Sequence, residues 1–225
     1  MILFLGDSFT WGQGLQYYHL VENEGWSWDD CRNFLESKKR FESLGFKADE
    51  FRRKNSFPYL VSKELNEPMI TPHFENGGDN YKIFRHLDNV NMYVTVNNIS
   101  RVIVQFSAPT RGIPKDDKTD NIHDLIKNQI ITVSEKCKNL GLDWYAFSWY
   151  KEMGDILKNE YTKHYIPILY NDVEYECFEF MHHIKLRDLT IQFTKHIDDG
   201  HFNLEGHQVI ANSIINKLKS NILGF

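Results

Sequence analysis

Cysteine is scarce: three residues in 225, Cys31, Cys137 and Cys177, odd in number and far apart. That pattern excludes a disulfide framework and a clustered thiolate metal site, and makes a reducing compartment the expected setting. Long apolar runs are missing as well. No window reaches the ~20 apolar residues that a membrane helix needs. Asp7 interrupts the apolar stretch at the start, so no signal peptide is expected and the sequence reads as cytoplasmic. Positive charge is not in excess. Lys and Arg number 26 against 31 Asp and Glu, a formal net charge of -5, which leaves no polyanion footprint and makes nucleic acid an unexpected partner. There is no Gly-x-Gly-x-x-Gly or Walker pattern to support a nucleotide-binding protein of the flavodoxin kind, and no internal repeat or low-complexity tract. His182, His183 and His196 have no third ligand at a suitable spacing, so no metal site is expected.

What remains is an ordinary globular composition, 41% hydrophobic and 25% charged, with length for one domain and a sizeable core. Aromatics are frequent at 14%, which fits a large core or a flat, carbohydrate-like ligand surface. The oligomeric state is not legible.

Along the chain, Ile2 to Leu5 runs straight into Gly6-Asp7-Ser8, a short buried strand ending in a sharp turn. Residues 15–55 read as a helical, lid-like insertion rich in aromatics, with Asp29 or Asp30 capping a helix from Leu35 to about Leu44. Ser56-Phe57-Pro58 opens a helix, and an extended piece covers Pro68 to Phe74. Gly77-Gly78 forms a tight turn before the periodic residues Tyr81, Phe84, Leu87 and Val90. Arg101 to Ser107 is the strongest strand, continuous and β-branched as a parallel sheet requires. Asp120 or Asn121 caps a helix closing at Asn139 to Gly141, and Asp143 to Ser148 is a further strand. Tyr150 to Leu186 is ambiguous, with Ile166 to Leu169 as a candidate edge strand. Gly206 to Leu218 has helical spacing. Strands separated by helices predict a single α/β domain, a three-layer α/β/α sandwich on a mainly parallel sheet.

The chemistry lies at the two ends. A serine held up at a strand's carboxyl end sits where open α/β sheets place their sites. It needs a base and an orienting acid to become a nucleophile. Asp198-Asp199-Gly200-His201 stands just before the last helix and offers both. Asp198 has the three-residue spacing to His201 that lets a carboxylate take the Nδ1 hydrogen, with Asp199 as the fallback acid.

Gly6-Asp7-Ser8-Phe9 and Asp198-Asp199-Gly200-His201, followed by Gly206-His207, resemble the first and last blocks of the SGNH/GDSL hydrolase family. The resemblance implies a flavodoxin-like SGNH fold and a catalytic triad of Ser8, Asp198 and His201. It also implies ester hydrolysis or acyl transfer through a serine acyl-enzyme, with no metal or organic cofactor. Its oxyanion hole maps to the Ser8 N–H, a glycine of Gly77-Gly78 and Ser107. Which glycine aligns stays open. The third block departs from the family, reading Gln105-Phe106-Ser107-Ala108, with Ser107 where an asparagine is usual. Asp7, Trp11, Asn80, Thr110 and Arg111 are candidate substrate-binding residues, Arg111 pairing either with an acidic substrate group or with Asp79. His207 reads as a structural hydrogen-bonder. The substrate expected is a small-acyl, acetyl-like ester of a carbohydrate or a related small molecule. The alternative is a non-catalytic glycan-binding module using Trp11, Trp26 and Trp28.

Overall fold

The computed structural model describes residues 1–7, 10, 12, 14–31, 33–72, 79–90, 99–113, 121–175 and 201–223. In chain order the first half comprises β1 (Ile2–Leu5), α1 (Leu15–Glu24), α2 (Trp28–Cys31), α3 (Phe34–Ser43), α4 (Ala48–Asn55), α5 (Phe57–Leu65), β2 (Met69–Ile70) and α6 (Asn80–Asp88). The second half comprises β3 (Arg101–Phe106), α7 (Ile122–Asn139), β4 (Asp143–Ser148), α8 (Lys151–Glu160), β5 (Ile168–Tyr170), β6 (Val173–Tyr175) and α9 (Leu204–Leu223).

The apolar runs form strands because both faces of the sheet are covered. Four strands lie in the order β2-β1-β3-β4, every neighbouring pair parallel. Alternate residues serve two cores. Ile2, Phe4, Ile103 and Phe147 point to one face and pack with Phe57 and Val61 of α5 and Ile210 and Ile214 of α9. Leu3, Leu5, Val104 and Ala146 point to the other, against Leu87 of α6, Ile130 of α7 and Leu157 of α8. This is the three-layer α/β/α arrangement expected from the sequence.

Residues 15–55 have a small core of their own, Tyr18, Leu20, Cys31 and Phe41. They leave and rejoin the chain at one point, since a Cβ at position 12 would lie 3.1 Å from that of Ser56. The cap of α3 differs from the sequence expectation. The chain makes the extra short helix α2 first, so Asp29 and Asp30 fall before the start of α3, and Asn33 caps it by accepting the Glu36 N–H. Asp30 instead accepts from the N–H and hydroxyl of Ser27, at 2.8 and 2.7 Å.

Of the extended piece 68–74, only Met69–Ile70 is strand among its described residues. The ambiguous stretch after Tyr150 contains α8 and the antiparallel hairpin β5-β6. Asn171 and Asp172, both left-handed at φ 50° and 62°, turn that hairpin. Before it, the Ala146 N–H donates to His164 O and the Ile166 N–H to Ala146 O, at 2.8 and 2.9 Å, which adds a parallel bridge on the free side of β4. Residues 176–186 of that stretch lie outside the described residues. Among the described residues, no helix is long and apolar enough to cross a membrane.

Candidate active site

Parallel strands deliver the segments after β1 and β3 to the same carboxyl edge of the sheet. Asp7 and Thr10, which follow β1, are both held by one buried side chain of β3. Gln105 is 1% exposed, and its Oε1 accepts the Asp7 N–H at 3.3 Å and the Thr10 hydroxyl at 3.1 Å. Its Nε2 donates to Phe106 O at 3.1 Å, which fixes the amide orientation. Gly6 is glycine for want of room, because a Cβ there would run into Thr10 Oγ1 and lie 2.9 Å from Gln105 Oε1.

Asp7, fully buried, holds the next layer together. Its Oδ2 accepts from Trp149 Nε1 at 3.3 Å and from Arg111 Nη1 at 3.4 Å. Arg111 therefore pairs with Asp7 rather than Asp79, whose carboxylate caps α6 by accepting the Lys82 N–H at 2.9 Å. The sequence offered Asp79 or an acidic substrate group as the partner. The turn from Ala108 to Arg111, closed by the Arg111 N–H on Ala108 O at 3.0 Å, brings the guanidinium over β1 instead. The same Nη1 donates to Ser107 Oγ at 3.3 Å.

Asn80 opens α6 fully buried, and its amide clamps the backbone of Ser107. Its Oδ1 accepts the Ser107 N–H at 2.8 Å, and its Nδ2 donates to Ser107 O at 3.1 Å and to Gln129 Oε1 at 2.7 Å. Gln129 Nε2 in turn donates to Pro109 O at 2.9 Å. Ser107 and Pro109 are thus held by two amide side chains, and Asn80 is spent on position rather than offered to a ligand. Thr110, half-buried, lends its carbonyl to the Ile113 N–H in the following turn.

At the other end of the chain, His201 is 1% exposed and precedes α9. The starts of α5 and α9 place it at the same edge. Helix α5 leads into β2, which runs parallel to β1, so α5 begins at the carboxyl edge. The Phe57 N–H at the start of α5 donates to Nδ1 of His207, in the first turn of α9, at 3.1 Å. Both helices therefore start at that edge, with His201 beside them. The Tyr18 hydroxyl of α1 donates to His201 O at 3.4 Å, tying residues 15–55 to this segment. Burial pushes the Tyr18 phenol well above its ordinary value, so it stays a donor. His207 is the structural hydrogen-bonder expected. Its Nδ1 accepts, which leaves the proton on Nε2, and burial followed by the nearby His201 lowers its pKa from 6.5 to about 3.

The structure thus gathers Asp7, Asn80, Ser107 and Arg111 into one hydrogen-bonded cluster. Ser8, Trp11, Gly77, Gly78, Asp198 and Asp199 lie outside the described residues. Gln129 and Trp149 were not singled out in the sequence. A polar residue on an apolar helix face was the available signal for Gln129, whereas nothing local marked Trp149. Alongside, a cavity of about 1300 Å³ opens between α1, α3 and α4 and the end of β2. Thr10, Tyr17, Phe46, Arg52, Thr71 and Pro72 are among its lining residues.

A parallel α/β sheet with a buried acid after its first strand and a buried histidine before its last helix defines the class. It is a three-layer α/β protein with its candidate site at the carboxyl edge. No family model matches the chain, and no curated protein does. A solved structure does: the chain is similar to the crystal structure of a member of the lipolytic protein G-D-S-L family from Veillonella parvula DSM 2008. The similarity covers 96% of both chains, with a TM-score of 0.51 and 10% sequence identity. At that identity the likeness is one of fold, and the fold is the one the end motifs imply.

Proposed function

We propose that the chain is a serine-dependent ester hydrolase or acyl transferase. In this reading Ser8 attacks the ester carbonyl, His201 takes the serine proton and returns it to the leaving alcohol, and Asp198 orients the imidazole. Water or a second alcohol then releases the acyl group. The observation that carries the reading is the shared edge: Asp7, the residue before Ser8, and His201 are both buried where β1 ends and α9 begins. A serine proton is transferred only across hydrogen-bond contact, so such convergence is the minimum the chemistry needs.

The substrate we assign is a short-acyl ester of a carbohydrate or a similar polyol. The cavity supports this, since Tyr17 and Phe46 offer aromatic faces while Lys47, Asp49 and Arg53 offer donors and acceptors of both signs. A long acyl chain there would desolvate charged walls without pairing them. At about 1300 Å³ the cavity also exceeds the roughly 300–1,000 Å³ typical of small-molecule clefts, which suits an oligomeric alcohol.

The test is labelling with a fluorophosphonate probe. Stoichiometric labelling of the intact chain, absent in Ser8→Ala, is the expected result, together with faster turnover of 4-nitrophenyl acetate than of 4-nitrophenyl decanoate. Failure to label, with oligosaccharide binding retained, would replace the hydrolase by a glycan-binding module on the same fold.

A further inference from the structure

We propose that Arg111 is a positioning residue that makes Ser107 a preorganised hydrogen-bond donor. A serine hydroxyl backed by a guanidinium then stands where the resembled family carries an asparagine. The inference rests on the serine-hydrolase reading of the site.

The main chain of Ser107 has nothing left to give. Its N–H and its carbonyl are both taken by the Asn80 amide, at 2.8 and 3.1 Å. Its side chain is different. The hydroxyl oxygen accepts from Arg111 Nη1 at 3.3 Å, which leaves the hydroxyl hydrogen to donate elsewhere. A hydroxyl that accepts from a cation becomes a stronger donor, because the bonds along such a chain polarise one another.

The guanidinium is itself held. One Nη1 divides its two hydrogens between Ser107 Oγ and Oδ2 of the fully buried Asp7, the latter also anchored by the Trp149 indole. Position 112 locks the turn from outside. Gly112 has φ +82°, and a Cβ there would lie 2.6 Å from Asp79 Oδ2, so the Arg111 turn is pressed onto the start of α6 that carries Asn80. Asp7, Asp79-Asn80, Ser107 and Arg111 thereby brace one another around the Ser107 hydroxyl.

A donor of this kind is held before the substrate arrives, so its effect belongs to the transition state rather than to ground-state binding. Steady-state turnover of 4-nitrophenyl acetate by Ser107→Ala, Arg111→Gln and the double variant provides the test. Ser107→Ala is expected to lower kcat by about 10²-fold, the usual scale for one lost oxyanion donor, with KM nearly unchanged. Arg111→Gln is expected to lower kcat by about tenfold in the wild-type background and to have little further effect on Ser107→Ala, because it acts through that hydroxyl.

An Arg111→Gln loss of equal size in both backgrounds would overturn the proposal, as it would mean that Arg111 acts on the substrate or through Asp7 alone. If the glutamine variant does not fold, Arg111→Lys, which keeps a cation against Asp7, enters the same cycle with the same two outcomes. Ser107→Asn offers a second check. An amide donates without help from Arg111, so it should recover most of the kcat that Ser107→Ala loses, and Arg111→Gln should then cost little. Retention of turnover in Ser8→Ala would instead remove the hydrolase reading itself.

Discussion

His207 shows what a single buried imidazole does to this molecule. Its ring lies nearly parallel to Phe57, 5.7 Å between centroids, and edge-on to Phe202, so the charged form has nowhere to be solvated. The folded pKa of about 3 lies below the ordinary 6.5, which means the unfolded chain binds the extra proton across that window. Stability from this group is complete above about pH 6.5 and is lost as the pH falls toward 3, at about 1.4 kcal/mol per pH unit. Urea midpoints measured from pH 7 to 4 should fall accordingly, and His207→Gln should show a slope shallower by about one proton. Equal slopes would show that the ring is not held neutral. At this scale the sequence was readable where a role is local. His207 opens a helix, and Gly6 precedes a turn that leaves no room for a side chain. It was silent where the partner is remote in sequence: Arg111 and Asp7 follow two neighbouring strands but stand 104 residues apart, and nothing near either residue encodes the pairing.

Among the elements, strands and long helices were the legible part. The β-branched run Val102-Ile103-Val104 and the apolar stripe of α7 leave no alternative to burial on both sides. Caps were less so, because several polar residues compete for each helix start. At α3 the choice fell to Asn33, whose side chain meets the Glu36 N–H at 3.3 Å. Asn33→Ala should therefore weaken that helix by about 1 kcal/mol, seen as faster exchange of the Glu36 and Ser37 amides, with the amides of β1 and β3 unchanged. Uniform acceleration across the molecule would mean that α3 does not open on its own. Gln105 is the informative exception among the strands. It is a buried glutamine inside a strand whose other buried residues are apolar, and its amide holds both Asp7 and Thr10 after β1.

For the molecule as a whole, two sheet-facing cores and a third under residues 15–55 divide the labour. The order β2-β1-β3-β4 could be anticipated only as a class, since periodicity assigns residues to faces and not strands to neighbours. The third core meets the His201 segment through the Tyr18 phenol, and its chain ends touch where position 12 lies against Ser56. A region that starts and finishes at one spot behaves as a removable cassette. Replacing residues 15–55 by a bridge of about four Gly and Ser residues should change the closure entropy by only about 2 kcal/mol. The shortened chain is expected to keep its near-ultraviolet circular dichroism and its turnover of 4-nitrophenyl acetate, while losing preference for acetylated oligosaccharides. Collapse of the dichroism would show that the excursion is part of the main fold. Because its two ends meet, this part of the gene can be exchanged or remodelled without moving the strands beneath it, and new surfaces can arise on an unaltered sheet.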